Sequence, residues 1–108
     1  MKLEDLLRFI KIENERLRKR YPNSDNEKMI LAQTVKINEE LGELCNEVLA
    51  HTSLQRKEKL ENHDKEKIFD EFADVLITTL LLAETMEIDI ERALEKKMEK
   101  LNERYEKI

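Results

Sequence analysis

The sequence predicts an all-α protein, and three observations lead to that prediction. Only one of the 108 residues is glycine and only one is proline, whereas strands and hairpins need turn residues about every 8–12 positions. Apolar residues recur at helical spacing along most of the chain. The hydrophobic content of 40% is too high for a disordered chain, although 42% of the residues are charged. We expect four main helices and a polar connector in a single domain spanning residues 1–108.

The first two helices are assigned from an apolar stripe and a capping pattern. The first is predicted over residues 3–19 and ends before Pro22, because proline cannot continue a helix. Ser24 is followed three residues later by Glu27, which is the spacing of a capping box. This pattern predicts a second helix over residues 25–50.

The second half of the chain is predicted to hold the connector and two more helices. Residues 51–64 are mostly polar and are assigned to the connector. Asp64 can cap a third helix over residues 65–86, and Asp89 can cap a fourth over residues 90–105.

The charge balance and the apolar runs exclude several classes of partner. The net charge is −5, and no basic stripe interleaved with aromatic residues occurs, so we expect no nucleic-acid polymer as a partner. The N-terminal segment carries acidic residues from position 4 and lacks the cleavage site of a signal peptide. The longest apolar runs, such as residues 80–83, are too short to span a bilayer. We expect a cytoplasmic protein without a membrane partner.

Acidic side chains on the second helix border its apolar stripe. On a helical wheel of about 100° per residue, Glu43 and Glu47 fall within about 60° of Glu40, and Leu44 lies just to one side. Glutamates at this spacing repel one another on a helix. Lys36, four residues before Glu40, relieves part of that repulsion.

A second acidic pair on the third helix also points toward an apolar surface. Glu71 and Asp74 are three residues apart and lie near Ile68 on the wheel. Antiparallel packing of the two helices would bring this pair opposite Glu40 and Glu43. Ionised, unpaired carboxylates at the edge of a core cost several kcal/mol each, and a divalent cation resolves the conflict. Oxygen ligands alone suit Mg²⁺ or Mn²⁺.

The alternative interpretation of these pairs is ordinary solvated surface. With 25 acidic residues, two acids three positions apart are common by chance. Gly42 favours the metal site, because glycine in mid-helix costs about 1 kcal/mol relative to alanine and close approach of another backbone is a usual reason for it. Ala73 occupies the comparable place on the third helix, so the two helices could draw near enough to share a metal.

Other titratable and nucleophilic residues are assigned structural roles. Neither histidine follows a glutamate at the Glu-x-x-His spacing of di-iron bundles, so we expect His51 and His63 to be exposed connector residues. Cys45 is predicted to be a buried, inert thiol beside the apolar stripe. Ser24 is interpreted as a cap because no adjacent base could activate it.

Two segments in a fixed order resemble the all-α nucleoside triphosphate pyrophosphohydrolases of the MazG-like superfamily. Residues 36–44 read KINEELGEL and residues 70–76 read DEFADVL, and the family is marked by an EExxE element, a variable spacer and then ExxD. Residues 88–100 are similar to the last helix of that family. The resemblance covers roughly residues 26–105.

The resemblance implies an activity and a set of site residues. The family hydrolyses (d)NTPs between the α- and β-phosphates with Mg²⁺, giving a (d)NMP and pyrophosphate, and Mn²⁺ is an alternative metal. Glu39 would orient water or assist a further metal as a catalytic residue. Lys97 would contact phosphate, although it also fits a solvated cation at the end of a helix. Lys36 is likewise assigned to substrate binding. By position, the metal ligands would be Glu40, Glu43, Glu71 and Asp74.

The chain also departs from the family, and it carries an apolar surface of its own. Leu101 follows Lys100 where the family often has asparagine, and without tryptophan the available aromatics for a base are Phe9 and Tyr21. Residues 76–83 are apolar nearly all round the helix, which indicates a subunit interface. Family members of this size form dimers or paired dimers, so the resemblance implies a homodimer or homotetramer.

Two further functions stay open at this point. One is a non-catalytic helical module that self-associates or docks on a partner through residues 76–83. The other is a related pyrophosphohydrolase acting on phosphoribosyl-ATP, which product analysis would distinguish.

Overall fold

The computed structural model describes residues 1–52 and 65–106, and within these ranges all regular structure is helical, without strands. The all-α prediction is confirmed, and every described helix boundary lies within one residue of its predicted position. Most of the connector, with the proposed cap Asp64, lies outside the described residues. The helices of the described ranges are α1 (Leu3–Arg20), α2 (Asn26–His51), α3 (Lys65–Thr85) and α4 (Ile90–Glu106).

Aspartates cap two of these helices. The backbone N–H of Lys28 donates to Asp25 Oδ1 at 2.8 Å, so Asp25 is the N-cap of α2. The assignment of Ser24 to that role was wrong by one residue, because the adjacent aspartate is an equally good acceptor. Asp89 begins α4 as predicted, with the N–H of Arg92 donating to its Oδ1 at 3.1 Å.

The centre of the structure is α3, which packs along α2 and also contacts α1. The side chains that join these three helices are few. The buried apolar residues of the described chain are Ile10, Met29, Ala50 and Leu81. This is a small core, and it leaves much of the apolar surface of the helices uncovered.

The fourth helix has few contacts with the other described helices. From Leu94 onward its large apolar side chains follow a spacing of four, three and four residues, and these are exposed, from 40% for Leu101 to 79% for Tyr105. The radius of gyration is 17.4 Å, whereas a compact domain of this length has about 13 Å. The single chain therefore does not bury the apolar face of α4.

The proposed close approach at Gly42 is wrong. A Cβ atom built at this position meets no heavy atom of another part of the structure within 4 Å, and the residue is exposed. The approach of α2 to α3 therefore does not depend on Gly42, and the glycine only weakens the helix.

We expect Gly42→Ala to raise the free energy of unfolding by about 1 kcal/mol, because alanine costs less backbone entropy in a helix and has room here. Urea denaturation followed by circular dichroism measures this. The reverse change on α3, Ala73→Gly, serves as the matched control and should lower stability by a similar amount. Destabilisation by Gly42→Ala would show that another surface packs against this position.

Candidate metal centre

Carboxylates from α2 and α3 meet at one place between the two helices. One oxygen each from Glu40, Glu43 and Glu71 lie within 4.8 Å of one another. Glu40 and Glu71 are each only 7% exposed, whereas Glu43 faces solvent. The structure thus brings together three of the four carboxylates to which the sequence assigns a metal. We call these three residues the carboxylate cluster.

The fourth carboxylate, Asp74, lies at the margin of the cluster. It is exposed and is not one of the three residues whose oxygens converge. Desolvation, followed by the charges of Glu40 and Asp70, raises the pKa of Asp74. Its position one turn beyond Glu71 on α3 therefore keeps it electrostatically coupled to the cluster.

Two oxygens of the cluster are buried without compensation. Glu40 Oε2 and Glu71 Oε2 have no hydrogen-bond partner among the described residues. Burial, and then the charges of Glu43, Asp74 and Glu40, raise the pKa of Glu71. Buried, unpaired carboxylate oxygens are costly unless a cation accompanies them. The donor set, all carboxylate oxygens, fits a hard divalent cation such as Mg²⁺ or Mn²⁺.

Lys36 is the basic residue that faces the cluster from α2. Its Nζ lies 3.2 Å from Glu40 Oε1 and 3.5 Å from Glu39 Oε2. Both carboxylates, Glu40 first, raise the pKa of Lys36. Lys36 therefore holds Oε1 of Glu40, whereas Oε2 is buried without a hydrogen-bond partner among the described residues. Glu39 is exposed and lies outside the three-residue cluster.

Glu47 belongs to the acidic row that the sequence predicts, yet it is placed differently. It is 3% exposed and forms an ion pair with Lys67, whose Nζ lies 3.2 Å from Glu47 Oε1. Sequence reasoning missed Lys67, although its position four residues before Glu71 puts it on the same face of α3. Glu47 is therefore paired with a lysine of α3, whereas the lysine partner of Glu40, Lys36, lies on the same helix as Glu40.

Lys97 is exposed on α4. Because α4 has few contacts with α2 and α3, the chain does not pack this lysine against the helices that hold the cluster. No ion pair within the described ranges joins Lys97 to an acidic residue.

A groove with a volume of about 580 Å³ opens beside the cluster. Its apolar walls come from all three packed helices, with Leu17 on α1, Met29 on α2 and Leu81 on α3. Glu40 and Asp74 also line it, so the groove reaches the carboxylate cluster at Glu40. The sequence does not predict this groove, because it arises only where three helices meet.

Two other expectations are corrected by the structure. Cys45 is exposed, not buried, because α2 turns it away from α3. His51 is the last residue of α2 and is half-buried, since the helix continues one residue further than predicted. His63 lies outside the described residues.

Most of the chain matches the profile of a known protein family. The profile of the MazG-like family matches residues 31–108, and the chain belongs to this family. It is 35% identical over 74 residues to the uncharacterized protein YpjD of Bacillus subtilis (strain 168). The alignment covers 68% of this chain and 65% of that protein, so the chain spans slightly less than two thirds of its relative. No solved structure matches the chain.

Within residues 1–52 and 65–106, each helix falls short of the length or the hydrophobicity that a membrane span requires.

Proposed function

We propose that this protein is a Mg²⁺-dependent nucleoside triphosphate pyrophosphohydrolase that converts (d)NTPs to (d)NMPs and pyrophosphate. The observation that carries the proposal is the convergence of three carboxylates from two helices, with two buried oxygens unpartnered among the described residues. Membership of the MazG-like family supports a role of this type. We assign it to nucleotide-pool housekeeping in the cytoplasm, by a single domain spanning residues 1–108.

The residues of the cluster and their neighbours would have different roles in this reaction. Glu40, Glu43 and Glu71 would hold the metal, with Asp74 completing the set from the margin. A bound Mg²⁺ offsets the charge of a triphosphate and lowers the pKa of coordinated water. Lys36 fixes the orientation of Glu40 through their 3.2 Å ion pair. Without a cation, the same carboxylates would repel the triphosphate.

The remaining site residues are assigned to water and to phosphate. Glu39 is proposed to orient water from the exposed flank of the cluster, where Lys36 restrains it at 3.5 Å. Lys36 also lines the groove, so it can contact a phosphate there. Lys97 would contact phosphate only where the α4 of a second copy reaches the cluster, because α4 does not pack on its own chain's α2 and α3.

Product identification tests the activity directly. A panel of (d)NTPs is incubated with Mg²⁺, and the products are identified by phosphorus NMR. The proposal predicts a nucleoside monophosphate and pyrophosphate, and no turnover when Mg²⁺ is withheld. Release of a nucleoside diphosphate and orthophosphate would contradict it. Inclusion of phosphoribosyl-ATP in the panel separates the related activity.

We propose that the protein is an obligate homodimer or homotetramer. Phe69, Phe72 and Leu76 on α3 are 70%, 51% and 62% exposed, and they share one face with spacing of three and four residues. Leu81 is instead buried within its own chain, so the free apolar face lies N-terminal to most of the predicted interface at residues 76–83. A stable subunit contact commonly covers about 800 Å² on each partner.

Sedimentation equilibrium is expected to give two or four times the chain mass of 13.0 kDa. Without association, the exposed apolar faces of α3 and α4 would remain in contact with water. The paired change Phe69→Glu and Leu76→Glu should shift the mass toward that of one chain. Glu91→Lys, a charge change at an exposed position of α4, is the control and should leave the mass unaltered. A stable monomer of 13.0 kDa for the unmodified chain would contradict the prediction.

A non-catalytic, self-associating helical module is the second candidate, and the exposed apolar face of α4 favours it. The two candidates differ in their response to metal. Mg²⁺ should support hydrolysis and raise the melting temperature of an enzyme of the proposed kind, whereas it should do neither for a module that only self-associates.

A further inference from the structure

The second helix carries an exposed stripe of small and apolar residues on the side that faces away from the carboxylate cluster. Along this stripe the spacing alternates between four and three residues, which is the repeat by which two helices pack as a coiled coil. We call it the α2 seam, and it consists of Leu31, Val35, Asn38, Gly42, Cys45 and Leu49. All six residues are exposed, and Leu31 and Val35 are each 60% exposed. Glu40 lies about 180° from the seam on the helical wheel, so the seam and the cluster occupy opposite sides of α2.

The seam is free of charge, although 42% of the residues of the chain are charged. Between positions 31 and 49, the residues within about 60° of the seam axis are its six members together with Thr34 and Asn46, and all eight are exposed and uncharged. An ordinary solvated face of this protein would carry several charges. Their absence indicates that another surface covers the seam in the assembled protein.

The length of the seam selects its partner. From residue 31 to residue 49 it extends about 27 Å, at about 1.5 Å per residue. The exposed apolar faces of α3 and α4, over residues 69–76 and 94–105, extend only about 11 Å and about 17 Å. Neither face would cover the seam. The α2 helix of a second copy matches its full length and its repeat.

The order of residues along the seam fits a second copy that runs in the opposite direction. Antiparallel pairing centred on residue 40 places Leu31 opposite Leu49, Val35 opposite Cys45, and Asn38 opposite Gly42 of the second copy. Every seam residue then faces another seam residue, and the amide of Asn38 lies where Gly42 has no side chain. A methyl group added at position 42 would face only the end of that flexible side chain, so the expected effect of Gly42→Ala is unaltered.

Charges at the ends of α2 also favour the antiparallel orientation. Lys28 continues the seam by three residues at the N-terminal end, and Thr52, the C-cap, continues it by three at the other end. Antiparallel pairing places Lys28 beside the C-terminal end of the second α2, where backbone carbonyl groups favour a cation. Parallel pairing would instead bring the two copies of Lys28 together and would leave a gap between the two copies of Gly42.

We propose that the α2 seam binds the α2 seam of a second copy in antiparallel orientation. The exposed face of Phe69, Phe72 and Leu76 belongs to another helix, so it can bind a further copy at the same time. Two different faces that each pair with themselves produce a tetramer. This contact depends neither on hydrolysis nor on a bound metal.

A disulfide between two chains tests the pairing, because Cys45 is the only cysteine of the chain. Val35→Cys should place the new thiol opposite Cys45 of the second copy, within the Cα separation of about 7 Å that a disulfide tolerates. Mild oxidation of the dilute protein with diamide should then link most of this variant into covalent dimers, about tenfold more than the unmodified chain. In the unmodified chain, the two copies of Cys45 would lie about 15 Å apart along the helix axis.

Two control variants test the register of the contact. Val35→Cys combined with Cys45→Ser should give no linked dimer, because the two introduced thiols would also lie about 15 Å apart. Leu31→Cys places a thiol on the same seam, about 6 Å further along the axis from Cys45 of the second copy, and should link far less than Val35→Cys. Equal linking by Leu31→Cys and Val35→Cys, or a disulfide between two copies of Cys45 in the unmodified chain, would overturn the proposal.

The mass of the assembly gives a readout without oxidation. Val35→Glu combined with Leu49→Glu should reduce an assembly of four chains to one of two in sedimentation equilibrium, because it places charges in every outer layer of the seam. A mass that this change leaves unaltered would overturn the proposal. Linking of Cys45 to Met98→Cys, with none in Val35→Cys, would assign the seam to α4 and would also overturn it.

Discussion

Replacing Glu43 with glutamine should reduce kcat/KM for (d)NTP hydrolysis by more than about a hundredfold, because even residues that only support metal ligands cost about 10–100-fold when changed. Glutamine keeps the shape of the side chain and removes its charge. Glu43 is the solvent-exposed member of the carboxylate cluster, so the variant should fold normally. Initial rates of pyrophosphate release over a range of Mg²⁺ concentrations measure the effect.

Two further variants test whether this loss of activity is specific to the carboxylate cluster. Glu71→Gln should lose activity to a similar extent and, unlike Glu43→Gln, should raise the melting temperature of the metal-free protein, because it removes a buried charge with an unpartnered oxygen. Glu15→Gln makes the same chemical change at an exposed position of α1 outside the cluster and is the control for activity. Full turnover in Glu43→Gln would mean that Glu43 is not a ligand.

The metal-free protein should lose stability as the pH rises, and Mg²⁺ should remove that loss. Glu71 and Asp74 have pKa values raised above the ordinary 4.5 and 3.8. The folded state therefore binds protons more tightly than the unfolded state, and stability falls as the pH rises above those ordinary values through the raised ones. Lys36, whose pKa is raised above 10.5, stays protonated in this range and adds no slope.

In the proposed site, Mg²⁺ would replace the protons as the partner of these carboxylates. A metal that binds only the folded state stabilises it by about 2.7 kcal/mol when present at about 100 times its dissociation constant. Melting temperatures recorded from about pH 5 to about pH 8, after chelation and again with Mg²⁺, test both parts. Glu71→Gln should flatten the metal-free profile and weaken the response to Mg²⁺. A melting temperature that Mg²⁺ leaves unchanged at every pH would contradict the prediction.

The parts of the fold that follow from local physics could be predicted from the sequence. Helix boundaries depend on caps and on the 3.6-residue repeat, and both are determined by residues that are neighbours in the sequence. The residues around Asp89 are therefore enough to identify it as the start of α4. The approach of Glu40 and Glu43 to Glu71 followed from their wheel positions beside apolar stripes. Two helices that bury adjoining stripes bring such border residues together.

The remaining features depend on neighbours that are distant in sequence. Gly42 was assigned a close contact that only the packing of α2 and α3 could decide. Asn14 and Thr85 are 71 positions apart and meet through a hydrogen bond, so no spacing rule reveals them. The position of Lys97 relative to the carboxylates depends on where α4 packs, and its own chain provides little surface for it.

In the proposed site, acidic side chains of α2 and α3 together hold one divalent cation. Crystals of the full chain soaked in Mn²⁺ would locate this ion by anomalous scattering, without reference to activity. We predict an anomalous peak bounded by carboxylate oxygens of Glu40, Glu43 and Glu71. A map with no peak at that place, or with Mn²⁺ bound only elsewhere on the surface, would contradict the claim.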